Sequence, residues 1–266
     1  MNVLFEDKHI LVCEKPAGIP TQAGKITEKD MLSEVNNYLR KAGEKSPAYI
    51  IHRLDKPVRG ILVFAKTKQA AAKLNSELTD NSSPQVIGEK LSATASNTIE
   101  YKETSATSYN KASTHTSNSK TNSSDIGYKG FIKHYTAIVE GLFDEEIKEG
   151  ILRNYIYKDG SKAFIDDERK NAASKEAILE YKVISEETIK MGENVTHICK
   201  LSIILHTGRF HQIRCQLSNI NHPIVGDTLY GSKLQYEKRQ AIGLIADSLS
   251  FTHPITKKRL EFTLRI

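Results

Sequence analysis

A short unbroken apolar run, Ile61-Leu62-Val63-Phe64-Ala65, follows directly on Ile51-His52-Arg53-Leu54-Asp55-Lys56-Pro57-Val58-Arg59-Gly60. A run of this length, entered through a Pro- and Gly-punctuated loop, reads as a buried strand. The chain must therefore form a sheet whose loop carries one carboxylate, Asp55, among four basic side chains. Catalytic groups are usually placed on loops held by rigid strands. An Asp with cationic neighbours stays ionised and can act as nucleophile or base, and the surrounding charges suit a phosphate-bearing substrate. Taken alone, the segment reads more simply as a solvated turn with salt bridges.

A second segment, His206-Thr207-Gly208-Arg209-Phe210-His211-Gln212-Ile213-Arg214, changes that balance. It follows a strand-like run, Ile198 to Leu205, and opens a helix expected to reach Asn219. Arg209, His211 and Arg214 bunch at the start of that helix, where backbone N–H groups and the helix dipole favour anions. His211 and Arg214 share a face, with Ile213 and Leu217 packing inward. By itself this is equally a basic capping cluster on a surface helix.

Together the two segments resemble the RluA family of RNA pseudouridine synthases. The family pattern H-R-L-D-x-x-T-S-G is matched by His52 to Asp55 and by Gly60, with Val58-Arg59 in place of Thr-Ser. The pattern T-G-R-T-H-Q-I-R is matched by Thr207 to Arg214, with Phe210 replacing the second Thr. Lys133 to Gly141 is similar to the family's K-x-Y-x-A-x-V-x-G strand. Lys15-Pro16-Ala17-Gly18-Ile19-Pro20 and His222-Pro223-Ile224-Val225-Gly226-Asp227 complete five motifs in family order.

The resemblance implies an α+β chain with the pseudouridine synthase fold, a large mixed and mostly antiparallel sheet with helices and a central cleft. It implies a single catalytic domain over 1–266, without the small RNA-binding domain that many relatives carry ahead of it. The implied reaction converts uridine to pseudouridine in ribosomal or transfer RNA, on a base flipped out at a cost of a few kcal/mol. Asp55 corresponds to the nucleophile, and Arg214 to the Arg that pairs with it. Tyr135 corresponds to the Tyr that packs on the target base, and its phenol could carry a proton to or from C5. Arg53 is the candidate for filling the space left by the flipped base or for holding phosphate. Lys56, Arg59, Lys66, Arg209 and His211 are expected on backbone phosphate, from charge and position more than from any motif. His52 is expected to be a structural hydrogen-bonding residue. Val58-Arg59, Phe210, and Ile245 where relatives often have His, bear on substrate fit.

A net charge of +6 and a pI near 9.0 agree with a polyanionic partner. No secretion signal or membrane-spanning run is visible, and the odd number of cysteines (Cys13, Cys199 and Cys215) without metal-ligand spacing suits reduced, packed thiols. The reading is therefore a cytoplasmic monomer that needs no metal, cofactor or obligate protein partner. Residues 80–127 hold 23 Ser, Thr or Asn in 48 positions; this stretch is expected to be a disordered insertion into the domain. Around it the pattern predicts a hairpin from Val3–Phe5 and Ile10–Glu14. It predicts helices over Asp30–Lys41, with Met31, Val35, Tyr38 and Leu39 apolar, and Thr67–Leu78. It also predicts strands over 133–140, 177–185, 196–205, 248–253 and 260–264. Two other classes compete. A non-catalytic RNA-binding protein would be signalled by loss of Asp55, Tyr135 or Arg214, and none is lost. A metal-independent nuclease would need two of His52, His134 and His211 in partnership with a Lys.

Overall fold

The computed structural model describes residues 1–24, 27–80, 99–100, 130–191, 194–236 and 240–265. Two apolar runs organise it, and both are buried on both faces. In β2 (Ile10–Lys15) and β4 (Arg59–Ala65), flanked by β1 (Asn2–Glu6) and β3 (Tyr49–Ile50), alternate residues serve opposite cores. Leu11, Cys13, Leu62 and Phe64 face α1 (Met31–Lys41), which buries Met31, Val35 and Leu39. Ile10, Val12, Ile61 and Val63 face α2 (Lys68–Asp80), which buries Ala70 and Leu74. A strand sandwiched between layers needs no polar face, which is why these runs do not alternate.

The local signals that start these helices hold. Asp30 caps α1 by accepting from the Ser33 amide at 2.7 Å, and Thr67 Oγ1 accepts from the Ala70 amide at 3.2 Å. Tyr38, expected on the apolar stripe of α1, is instead exposed and bonds Glu6 at 2.8 Å.

The remaining strands are β5 (Ile99–Glu100), β6 (Ile132–Glu140), β7 (Glu149–Asp159), β8 (Lys162–Ile165), β9 (Lys175–Met191), β10 (Asn194–Leu205), β11 (Leu244–Thr252) and β12 (Arg259–Thr263). Among the described residues they join one mixed sheet in the order β1-β2-β4-β11-β6-β10-β9-β7-β5, with β3, β8 and β12 beside β4, β7 and β11. Every pairing is antiparallel except β4 with β11. The α+β expectation with a mostly antiparallel sheet is met. The β7–β8 hairpin was not expected, and β9 and β10 run longer than the pattern predicts. Most of the expected insertion at 80–127 lies outside the described residues, but Ile99 and Glu100 pair with Leu152 and Ile151 at the sheet edge.

The parallel junction positions the Asp55 loop. Gly60 lies opposite Ala246, and a Cβ on Gly60 would stand 2.4 Å from the Ala246 Cβ and 2.5 Å from its carbonyl oxygen. Only glycine lets the two backbones come this close. α3 (Gln212–Asn219) packs against β7 and β8, and Gln212 to Leu217 are all buried, so it is no surface helix.

Candidate active site

Asp55 sits in the loop between β3 and β4, and its conformation is held from below. Thr21, 2% exposed, both donates to the Leu54 carbonyl and accepts from the Leu54 amide, each at 3.0 Å. The Gly18 amide donates to the Lys56 carbonyl at 2.8 Å. Lys15 is fully buried and its ammonium donates to the carbonyls of Ile19 (2.6 Å), Pro16 (3.0 Å) and Lys56 (3.2 Å). Burial lowers its pKa to about 8, against the opposing pull of Asp55. The Lys15–Pro20 motif is thus the floor of the Asp55 loop.

The second wall is the turn into α3. Thr207 Oγ1 accepts from the Ile178 amide at 2.8 Å and donates to Gln212 Oε1 at 2.8 Å, which also accepts from the Arg209 amide at 3.0 Å. Gln212 donates on to Gln216, and Gln216 to the carbonyls of Leu152 and Ala177. This buried ladder fixes the start of α3 and with it Arg214.

Arg214 bridges two carboxylates. It donates to Asp227 through Nε at 2.6 Å and through its second amino group at 2.8 Å, and to Asp55 Oδ2 at 3.3 Å. Burial works against its charge, but Asp227 and Asp55 outweigh that and hold its pKa above the ordinary guanidinium value. Asp55 has the cationic neighbours expected of it, but burial outweighs them. Burial raises its carboxyl pKa, and Arg214, Lys15 and Arg53 oppose this without reversing it. Its side chain remains 27% exposed to the cleft.

Tyr135 on β6 lines the same cleft, a space of about 550 Å³ that also takes in Asp55, Arg53, Arg209 and Arg214. Its phenol pKa is pushed well up by burial, then by Asp55 and Asp247. His211 stands 3.6 Å from Asp55 Oδ2. The Tyr230 hydroxyl accepts from the Ala163 amide at 2.8 Å and is hydrogen-bonded to His211 Nδ1 at 3.1 Å, which turns Nε2 toward Asp55. Burial, then Arg214, brings the His211 pKa down to about 4.

A sequence profile of the RNA pseudouridylate synthase family matches residues 9–125 and 112–219. The chain belongs to that family. It is 29% identical over 260 residues to an uncharacterised RNA pseudouridine synthase of Bacillus subtilis, covering 96% of this chain and 65% of that protein. It is 26% identical to the ribosomal large subunit pseudouridine synthase D of Zymomonas mobilis over 276 residues (98% of this chain, 68% of that one). Over 271 residues it is 26% identical to the tRNA pseudouridine synthase C of Pasteurella multocida (98% and 89%). The structure of human RNA pseudouridylate synthase domain containing 4 superposes with a TM-score of 0.61 at 18% identity, over all of this chain and 88% of that one. The chain spans about two thirds of the length of the first two relatives.

Of the residues this pseudouridylate synthase family member was expected to use, Asp55, Tyr135, Arg214, Arg53, Arg209 and His211 meet at the cleft. Lys56, Arg59 and Lys66 do not line it: they pair with Glu28 (2.6 Å), Glu14 (2.5 Å) and Glu6 (2.9 Å). His211 stands beside Asp55, and burial makes it a weaker base than its position in the chain suggested. His52 plays its expected structural part, with Nε2 accepting from the Val63 amide at 3.3 Å. A histidine nuclease pair needs one imidazolium near neutral pH. Burial, aided by Lys133, takes His52 down to about 3, and His134 is engaged by Asp247 and Ser202 on the opposite face of β6 from Tyr135. Among the described residues no three His, Cys, Asp or Glu side chains are grouped as a metal site requires.

Asp227 is the site residue that composition and charge did not single out. It ends the His222–Asp227 motif, and a buried acid 13 residues beyond a helical Arg leaves no local signature.

Proposed function

We propose that the protein isomerises uridine to pseudouridine in RNA, with Asp55 as the nucleophilic carboxylate. The observation that carries this reading is the pairing of Asp55 with Arg214 at 3.3 Å inside an open cleft that Tyr135 also lines, in a chain of this family. The reaction breaks the bond between C1′ and N1, turns the base in place, and joins C1′ to C5; N1 gains a proton and C5 loses one. Arg214, anchored by Asp227, orients the carboxylate without moving with it. Tyr135 lies under the base and is protonated before attack, because burial and the Asp55 charge both oppose ionisation. Once Asp55 becomes covalently bound its charge is gone and one of those oppositions with it, which suits the phenol to relay the C5 proton.

Relatives act on transfer RNA and on large-subunit ribosomal RNA by name, and one or both are proposed as substrate here. We read the chain as one catalytic unit that works as a cytoplasmic monomer without metal or cofactor; among the described residues no helix is long and apolar enough to cross a membrane. The test is Asp55→Asn assayed on RNA from cells lacking the gene, with pseudouridine mapped chemically. The wild type should restore specific sites and the variant none, with RNA affinity nearly intact. Turnover by the variant at the wild-type rate would overturn the nucleophile.

A further inference from the structure

Lys133 is the buried cation of the cleft that the proposed reaction leaves unused. It precedes Tyr135 by two residues on β6, so both side chains face the cleft, about 6.6 Å apart along the strand. It is 8% exposed, and its ammonium makes no hydrogen bond or ion pair among the described residues. It lies against the turn into α3, where a Cβ on Gly208 would come 3.2 Å from Nζ. The neighbouring charge is another cation, Arg209. Arg209 is oriented by its Nε donating to the Glu176 carbonyl at 2.7 Å, and no carboxylate among the described residues pairs with it.

Two cations held side by side, one nearly dry and neither neutralised, are unfavourable unless an anion completes them. Burial and Arg209 accordingly bring the Lys133 pKa down to about 8. Buried, unpaired donors of this kind are matched to oxyanions. Given that the cleft takes a uridine nucleotide, the anion one strand step from the Tyr135 ring is that nucleotide's own phosphate.

We propose that Lys133 and Arg209 form a phosphate subsite that seats the phosphodiester of the reacting uridine, placing its base on Tyr135 and its glycosidic carbon beside Asp55. The role rests on the pseudouridine synthase reading for its substrate, but its test does not require turnover. Lys133 was legible in the sequence only as the first letter of a strand motif. Arg209 was expected on phosphate; the subsite gives it a partner and a specific phosphate.

The probes are 5′- and 3′-uridine monophosphate, uridine and inorganic phosphate, titrated into the full chain and into Lys133→Met, which keeps the side-chain length without charge. The wild type should bind at least one monophosphate about tenfold or more tighter than uridine, and the variant should lose that preference while keeping its uridine affinity. The wild-type preference should fade as pH rises through about 8, as the ammonium deprotonates. Removing an unpaired buried cation should leave Tm unchanged or higher, whereas a structural lysine would lower it. Equal monophosphate binding by both proteins, or a lower Tm with parallel loss of uridine binding, overturns the subsite. Inorganic phosphate binding as tightly as the monophosphates would overturn the nucleotide assignment and leave a free-anion site. If no RNA is modified but the monophosphate preference depends on Lys133, the catalytic reading fails and the subsite stands.

Discussion

Replacing Asp227 with Ala asks whether the Arg214 guanidinium is held in place for Asp55 or simply buried. The Asp227 side chain is 1% exposed and takes two short bonds from an Arg214 side chain that is 6% exposed; Asp55 supplies one longer contact. Removing one partner of a buried pair strands the other charge and costs about 3–5 kcal/mol. At about 2–4 °C of Tm per kcal/mol for a domain of this size, Asp227→Ala should melt roughly 6–20 °C lower. Turnover should fall beyond what instability explains, because the freed guanidinium is drawn onto Asp55 and occupies the lone pairs needed for attack. Arg214→Met alone should cost a similar amount, since it strands Asp227. The double variant removes both charges, so it should recover much of the Tm while remaining inactive. Thermal melts and single-turnover rates on all four proteins close the cycle. Additive Tm losses, or an Asp227→Ala protein with wild-type rate, would refute the anchoring argument.

Tyr135→Phe should retain RNA binding and isomerise far more slowly, since the ring stays and the phenol goes; equal losses in binding and single-turnover rate would make Tyr135 structural. Gly60→Ala drives a methyl into Ala246, 2.4 Å from its Cβ, and should destabilise by at least about 1–3 kcal/mol. Adding Ala246→Gly should rescue it only in part, because the carbonyl contact at 2.5 Å remains. A Gly60→Ala protein with wild-type Tm would show the junction is looser than described. Stability should also fall as pH drops from about 6.5 toward 4: the unfolded chain protonates His52 and His211 there, while the folded one holds their pKa values near 3 and 4. His52 alone accounts for a loss on the order of 3 kcal/mol by pH 4. Asp55, raised by burial, works in the opposite direction. Melts of His52→Gln, which keeps an acceptor for Val63, should be flatter across that range; an unchanged slope would clear His52 of the effect.

What the sequence discloses and what it hides divide along a physical line. The caps at Asp30 and Thr67, the doubly buried runs in β2 and β4, and the turn into α3 depend on neighbours a few residues away, so they are legible. The β7–β8 hairpin is legible too, through the Asp159-Gly160 turn signal between two strand-like segments. Asp227, Thr21 and the floor role of Lys15 were not, because each is a buried polar group whose meaning lies in partners brought together by folding. The pairing of Lys56 and Arg59 is hidden for the same reason: a local count of positive charge cannot see Glu28 and Glu14 arriving from elsewhere. His211 reads as basic from its neighbours in the chain, and only the fold shows the burial that makes it a weaker base.

The parallel seam between β4 and β11 also sets an order of events on the ribosome. Asp55 is synthesised 159 residues ahead of Arg214, an interval of roughly 8–32 s at ordinary elongation rates. β1, β2, α1 and β4 can assemble locally during that time, but the flank of β4 that meets β11 has no mate until translation has passed Ala246. The nascent chain thus carries its carboxylate without its guanidinium, and the cleft gains both only when β11 zips onto β4 beside Gly60. A lesion in β11 would therefore silence a carboxylate made long before it.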